Sequence, residues 1–278
     1  MTIRVDQMFV DRDWTDEPDK PSAFGTFIEG DRGRIFSQVY VPGGSGPHPA
    51  VIFCHGLPGN ERLFDFAVIL RNMGYCTISF HYGGSWGSDG AFSIGGCLRD
   101  AESVARYVAE NKDGIFDTKN VFVVGHSLGG MIAAYILATN PDLKAGSLIM
   151  PANICGIYRA AQESEEAGAL FRLLFDGFGE WLNGFSWDTF ADEAKENPDR
   201  FALATYAGQL SAKPLLLIAG SMDADLPREE NIDLLAAAIK EIDGGKLKEL
   251  TLDTDHGIGA QRYTAIRTVA EFFESALS

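Results

Sequence analysis

Short apolar strands alternating with longer helical segments predict an α/β fold: a mostly parallel, twisted sheet with helices on both faces and one helical insertion capping it. Three observations carry that prediction. A strand-then-helix rhythm repeats from residue 50 onward, a glycine-flanked serine stands at one strand-to-helix junction, and one aromatic-rich stretch interrupts the rhythm.

After an acidic, proline-containing start, residues 23–29 and 34–41 are β-favouring runs on either side of Gly30-Asp31-Arg32-Gly33, which reads as a hairpin. Pro42-Gly43-Gly44-Ser45-Gly46-Pro47 then breaks the pattern. Beyond it, strands are predicted at 50–54, 76–80, 121–124, 145–150, 214–219 and 248–252. Helices are predicted at 61–73, 97–110, 128–139, 229–242 and 261–277. Apart from 248–252, these strands are mainly apolar or small-residue runs, as expected of a parallel sheet covered on both faces by crossover helices.

The interruption, residues 151–211, carries Phe171, Phe175, Phe178, Trp181, Phe185, Trp187, Phe190, Phe201 and Tyr206. It follows a strand at the edge where open α/β sheets bind ligands, so it is predicted to cap the site. The expected organisation is one domain over 1–278, with a core of 22–150 and 212–278 and a cap of 151–211. Leu170, Leu174 and Phe178 fall at helical spacing and read as the face that anchors the cap to the core. Phe175, Phe178 and Trp181, with Trp86 from a glycine-rich loop, are the side chains selected to line an apolar substrate pocket; for Trp86, packing is the preferred role.

Composition narrows the function classes. Acidic residues outnumber basic ones 39 to 23, and the formal charge of -16 argues against nucleic acid and anionic membrane surfaces as partners. The four cysteines show no paired spacing, and Cys54 and Cys76 sit in apolar strands, so reduced structural thiols are expected. The polar N-terminus resembles neither a signal nor a transit peptide, and no apolar run is long enough to span a bilayer; together these imply a cytoplasmic protein without membrane attachment. The apolar side chains of the cap would equally suit a homodimer contact.

The central chemical signal is Gly125-His126-Ser127-Leu128-Gly129-Gly130, between the strand at 121–124 and the helix at 128–139. A serine on so sharp a turn takes a strained backbone conformation, and only small neighbours let the chain pass so closely. Its place at a helix start favours the negative charge that develops during acyl transfer. Downstream, Gly220-Ser221-Met222-Asp223 and Asp255-His256-Gly257 end successive strands, placing an acid and a histidine on the same sheet edge. A serine hydroxyl is a weak nucleophile until an imidazole takes its proton and a carboxylate fixes that imidazole's tautomer. Ser127, His256 and Asp223 are accordingly the catalytic candidates, with Asp225, Asp253 and Asp255 as nearby competitors for the acid. His126, adjacent to the serine, reads as structural. The turn His55-Gly56-Leu57-Pro58-Gly59 supplies backbone N–H groups, and those of Leu57 and Leu128 are the expected oxyanion hole.

These four motifs, in this order, resemble the α/β-hydrolase superfamily over roughly residues 47–150 and 213–278. Within it the chain is most similar to single-domain carboxylesterases of the cinnamoyl and feruloyl type, and acylaminoacyl peptidases have similar catalytic domains. Two departures stand out: the oxyanion turn is not the His-Gly-Gly-Gly of lipase-like esterases, and Phe80-His81-Tyr82-Gly83-Gly84 lacks an arginine after the tyrosine. The resemblance implies hydrolysis of a small-molecule ester through an acyl-enzyme, with no metal or other cofactor. An amide or peptide substrate is the alternative, and a catalytically silent scaffold the third reading.

Overall fold

Successive side chains along a strand point to opposite faces of a sheet, and here that alternation divides the core in two. The computed structural model describes residues 3–16 and 18–277. Residues 1, 2, 17 and 278, which fall within the predicted domain span, lie outside the described residues. The strands are β1 (Ser22–Gly30), β2 (Gly33–Val41), β3 (His48–Cys54), β4 (Cys76–Phe80), β5 (Phe116–His126), β6 (Leu143–Ile149), β7 (Leu215–Gly220) and β8 (Leu247–Leu252). The helices are α1 (Phe64–Met73), α2 (Ile94–Glu110), α3 (Leu128–Thr139), α4 (Ile154–Glu163), α5 (Glu165–Phe178), α6 (Trp187–Glu196), α7 (Ala207–Leu210), α8 (Arg228–Asp243) and α9 (Arg262–Leu277).

On β3 and β5, Ala50, Ile52, Cys54 and Val123 lie on the side covered by α2 and α3, whereas Val51, Phe53, Phe122 and Val124 lie on the side of α1 and α9. Phe122 stacks on Phe273 of α9 with ring centroids 4.7 Å apart. Burying each such side chain contributes roughly 1.5–3 kcal/mol. Helix α3 is apolar on nearly every side because it is enclosed by the sheet and neighbouring helices.

The strands form one sheet in the order β1-β2-β4-β3-β5-β6-β7-β8. β1 and β2 form the expected hairpin, β2 runs antiparallel to β4, and every later pairing is parallel. From β3 the chain moves through α1 to β4 on one side; from β5 it moves through α3 to β6 on the other. The carboxyl ends of β3 and β5 therefore flank the switch point of the sheet, where the departing helices leave a crevice.

Three elements begin at least three residues from the sequence expectation: α1 at Phe64 rather than 61, and two others for a visible reason. β5 begins at Phe116 rather than 121, because Phe116 and Asp117 pair with His48 and Pro49 below the apolar segment. α2 begins at Ile94 rather than 97, because Ser93 Oγ accepts the Gly96 N–H and Glu193 accepts the N–H groups of Ile94 (2.7 Å) and Gly95 (3.2 Å). A carboxylate from α6 thus caps a helix of the core.

Between β6 and β7 the chain makes an excursion through α4, α5 and α6 over the carboxyl edge of the sheet. Its two limbs meet where the Cys155 N–H donates to the Phe201 carbonyl at 3.1 Å. Further along, Asn183 is held by three 2.8 Å bonds to the loop after β4: its N–H to Gly84, its carbonyl from Phe92, and its side-chain amide to Gly90. Among the described residues no helix is long and apolar enough to cross a membrane. The four cysteines are free, and Cys54, Cys76 and Cys97 are buried.

Candidate active site

Ser127 is the single residue between β5 and α3, and its backbone lies at φ 58° and ψ −124°. That left-handed φ is costly for a non-glycine residue and is sustained by what surrounds it. The Ser127 N–H donates to Ile149 at 3.1 Å, and its carbonyl accepts from Gly130 and Ala152, both at 2.9 Å. Close packing accounts for the flanking glycines. A Cβ on Gly125 would sit 2.0 Å from the Gly129 carbonyl oxygen, and one on Gly129 would sit 2.0 Å from that of Cys54.

After β3, the turn at residues 55–59 is held through three of its carbonyls. Tyr82 Oη donates to His55 O at 3.1 Å, His55 Nδ1 to Gly56 O at 2.7 Å, and Trp86 Nε1 to Pro58 O at 3.0 Å. Gly56 lies against the serine, since a Cβ there would be 2.9 Å from Ser127 Cβ. Leu57 and Leu128 both border the cavity that contains Ser127. Leu128 opens a helix, whose first N–H groups have no intrahelical acceptor.

The histidine and its acid come from the loops after β8 and β7. His256 Nδ1 donates to Asp223 Oδ2 at 2.8 Å, and Asp223 Oδ1 accepts from the N–H groups of Leu226 (2.9 Å) and Asp225 (3.1 Å). Burial would raise the Asp223 pKa, but the His256 bond and these backbone donors outweigh it and hold the carboxyl below its ordinary value. Of the competing acids, Asp253 accepts from Ser221 Oγ at 2.8 Å and Asp255 from the Gly259 N–H at 3.0 Å, so both brace loops. Asp225 borders the cavity. One ligand atom each from Asp223, Asp225 and His256 lie within 4.8 Å of one another, although the His256–Asp223 bond already engages two of the three residues.

His126 has a contact that the sequence does not reveal. Its Nε2 donates to the backbone carbonyl of His256 at 2.8 Å, and the two rings lie 4.8 Å apart. The structural expectation for His126 becomes specific: it holds the loop that carries His256. Burial pushes its pKa down to about 4, which keeps the ring neutral and Nε2 protonated as a donor to that carbonyl.

Ser127 and His256 open into one cavity of about 460 Å³, walled by α4, α5 and the loop after β7. Of the four side chains selected from sequence to line a pocket, Phe175 and Phe178 border it and Trp86 and Trp181 do not. Trp86 is directed onto the Pro58 carbonyl instead, and Trp181 is half exposed beyond the end of α5. The anchoring face of α5 also differs from expectation. Leu170, Leu174 and Phe178 border the cavity, with Leu170 62% and Leu174 46% exposed, while Phe175, 4% exposed, anchors the helix against Phe185, Trp187 and Phe190.

An open α/β sheet with a serine, histidine and carboxylate gathered at its switch point defines a class of hydrolases. A model of the alpha/beta hydrolase family matches residues 51–272, and the chain belongs to that family. It is 25% identical over 232 residues to the lysophosphatidylserine lipase ABHD12 of Danio rerio, a match covering 80% of this chain and 56% of that protein. The chain thus spans about half the length of that curated relative. Among solved structures it resembles Est1E from Butyrivibrio proteoclasticus with ferulic acid bound, at TM-score 0.69 and 19% identity, covering 91% and 99% of the two chains. It also resembles an acylaminoacyl peptidase of Pyrococcus horikoshii, at TM-score 0.69 and 16% identity, covering 92% of this chain and 42% of that one. At these identities the two structures share the fold.

Proposed function

We propose that this hydrolase is a serine carboxylesterase working in two steps. Ser127 Oγ attacks the ester carbonyl carbon while His256 Nε2 takes its proton, and Asp223 on Nδ1 fixes the tautomer and stabilises the imidazolium. The N–H groups of Leu57 and Leu128 receive the developing oxyanion. The C–O bond to the leaving alcohol breaks as His256 returns the proton to it. Water, deprotonated by His256, then attacks the acyl carbon; the acid departs and Ser127 regains its proton. These steps use no metal or organic cofactor.

The observation that carries this reading is the opening of Ser127 and the Asp223-bound His256 into one cavity with an otherwise largely apolar wall. A wall of that kind suits uncharged esters with short-to-medium or aromatic acyl groups. The test is hydrolysis of p-nitrophenyl esters of increasing acyl length by the wild type and by Ser127→Ala. The expected loss in kcat is at least about 10⁴-fold; equal rates in the two proteins would remove Ser127 from the chemistry.

The acylaminoacyl peptidase among the similar folds favours a second reading, in which the same groups cleave an amide. Rates on a p-nitrophenyl ester and the matched p-nitroanilide separate the two. Labelling of Ser127 by a fluorophosphonate, blocked in Ser127→Ala, distinguishes both from a silent scaffold.

A further inference from the structure

We infer that the cavity selects substrates by charge, admitting uncharged and cationic groups beside the reacting carbonyl and excluding anionic ones, with Asp225 as the residue that sets the sign. The inference rests on the ester reading above and adds a substrate class to it. Of the side chains bordering the cavity, only Ser127, His256 and Asp225 carry polar atoms, and none is a lysine or arginine. Ser127 and His256 are assigned to the reaction, which leaves Asp225 as the one acidic residue of the cavity lining.

Asp225 is held in place by its backbone N–H, which donates to Asp223 Oδ1 at 3.1 Å, while its own carboxylate has no hydrogen-bond or ion-pair partner among the described residues. One Asp225 oxygen lies within 4.8 Å of a ring nitrogen of His256, so its charge stands close to where the ester is cleaved. Arg262 pairs with Asp65 and Glu61, Arg228 with Asp233 and Glu249, and Arg172 of α5 with Asp188, so none of these three pairs with Asp225. Asp225 is exposed, and charges near a protein surface interact through an effective dielectric below that of bulk water, so its field on a charge a few ångströms away is felt. The formal charge of -16 on the whole chain adds repulsion of the same sign at longer range.

The test uses three butyryl esters of similar size: of choline, which is cationic; of neohexanol, its uncharged carbon isostere; and of isethionate, which is anionic. The readout is the ratio of kcat/KM values within one protein, which partial loss of fold or a general weakening of His256 leaves unmoved. Wild type should disfavour the isethionate ester relative to the neohexyl ester. Asp225→Asn should relieve that penalty by about tenfold, and Asp225→Lys should place the isethionate ester ahead of the choline ester. Raising the salt concentration should compress the wild-type ratios without any substitution. Ester turnover with identical ratios in wild type and Asp225→Asn, or ratios insensitive to salt, overturns the charge selection and leaves the esterase reading standing. Failure of the wild type to hydrolyse any of the three esters, or p-nitrophenyl butyrate, overturns the esterase reading and this inference with it.

Discussion

A methyl group on Gly129 would meet a backbone carbonyl oxygen at 2.0 Å, and no side-chain rotation relieves a contact with the main chain. Gly129→Ala is therefore expected to destabilise the protein by at least about 3 kcal/mol, or to shift the turn that carries Ser127; a urea melt paired with fluorophosphonate labelling reports which. Asp223 makes the second case at this scale. Asp223→Asn can still accept from the Asp225 and Leu226 N–H groups, but it no longer opposes an imidazolium charge, so kcat on p-nitrophenyl butyrate should fall about 10³- to 10⁴-fold with little change in thermal stability. That Ser127, Asp223 and His256 fall on one edge of the sheet is legible in the sequence because each follows a strand, close to a glycine. The contact from His126 to the His256 carbonyl is not, since it joins positions 130 residues apart through a loop that no periodicity describes.

At the scale of elements, α5 shows where sequence reading stops. Helical spacing groups Leu170, Leu174 and Phe178, yet spacing alone does not say whether such a face meets a core or a cavity. Here the neighbouring residue Phe175 takes the anchoring role because Phe185, Trp187 and Phe190 return from α6 and the loop before it to enclose it. Phe175→Ala should accordingly cost about 3–5 kcal/mol in chemical denaturation. Leu174→Ala, at a half-exposed position on the cavity wall, should change stability by less than about 1 kcal/mol while altering the acyl-length profile. If the two variants gave the same stability loss and the same profile, this division of labour along α5 would be wrong. The core strands are more legible than α5 because a strand buried on both faces must be apolar throughout, whichever neighbour it has. The start of α2 is hidden for the opposite reason: Gly95 and Gly96 look like loop, and the Glu193 carboxylate that caps the helix comes from a distant segment.

For the whole molecule, buried imidazoles set the response to acid: His48 is lowered by burial, and three others are shifted further. Burial pushes the pKa of His55 down to about 4, of His81 to about 3 and of His126 to about 4, against 6.5 in the unfolded chain. His55 Nε2 and His81 Nδ1 have no hydrogen-bond partner in their buried positions, so a proton there would go unsolvated. Because the folded values are depressed, the unfolded chain binds more protons between pH 6.5 and pH 4. Stability is thus complete above pH 6.5 and is lost as pH falls toward 4. Each proton taken up only on unfolding adds about 1.4 kcal/mol per pH unit, so His55, His81 and His126 together should bring a slope of about 4 kcal/mol per pH unit, to which His48 adds. Urea melts between about pH 7 and pH 5 measure it, and His126→Asn should make it shallower by about a third. Asp223, whose folded pKa lies below 3.8, adds its loss only at still lower pH.

The bond from the Cys155 N–H to the Phe201 carbonyl closes the excursion over the sheet into a ring, which the Asn183 bonds and the Glu193 cap tie to the core at two further points. Ring-closure entropy grows only with the logarithm of length, about 0.6 kcal/mol per doubling. Segments between these ties can therefore lengthen or shorten at little entropic cost while β6, β7 and the groups at their ends stay where they are. The α4 and α5 side of the cavity can thus be varied between those ties, while the side formed by Leu57, Leu128 and the loop after β7 belongs to the sheet and stays with it.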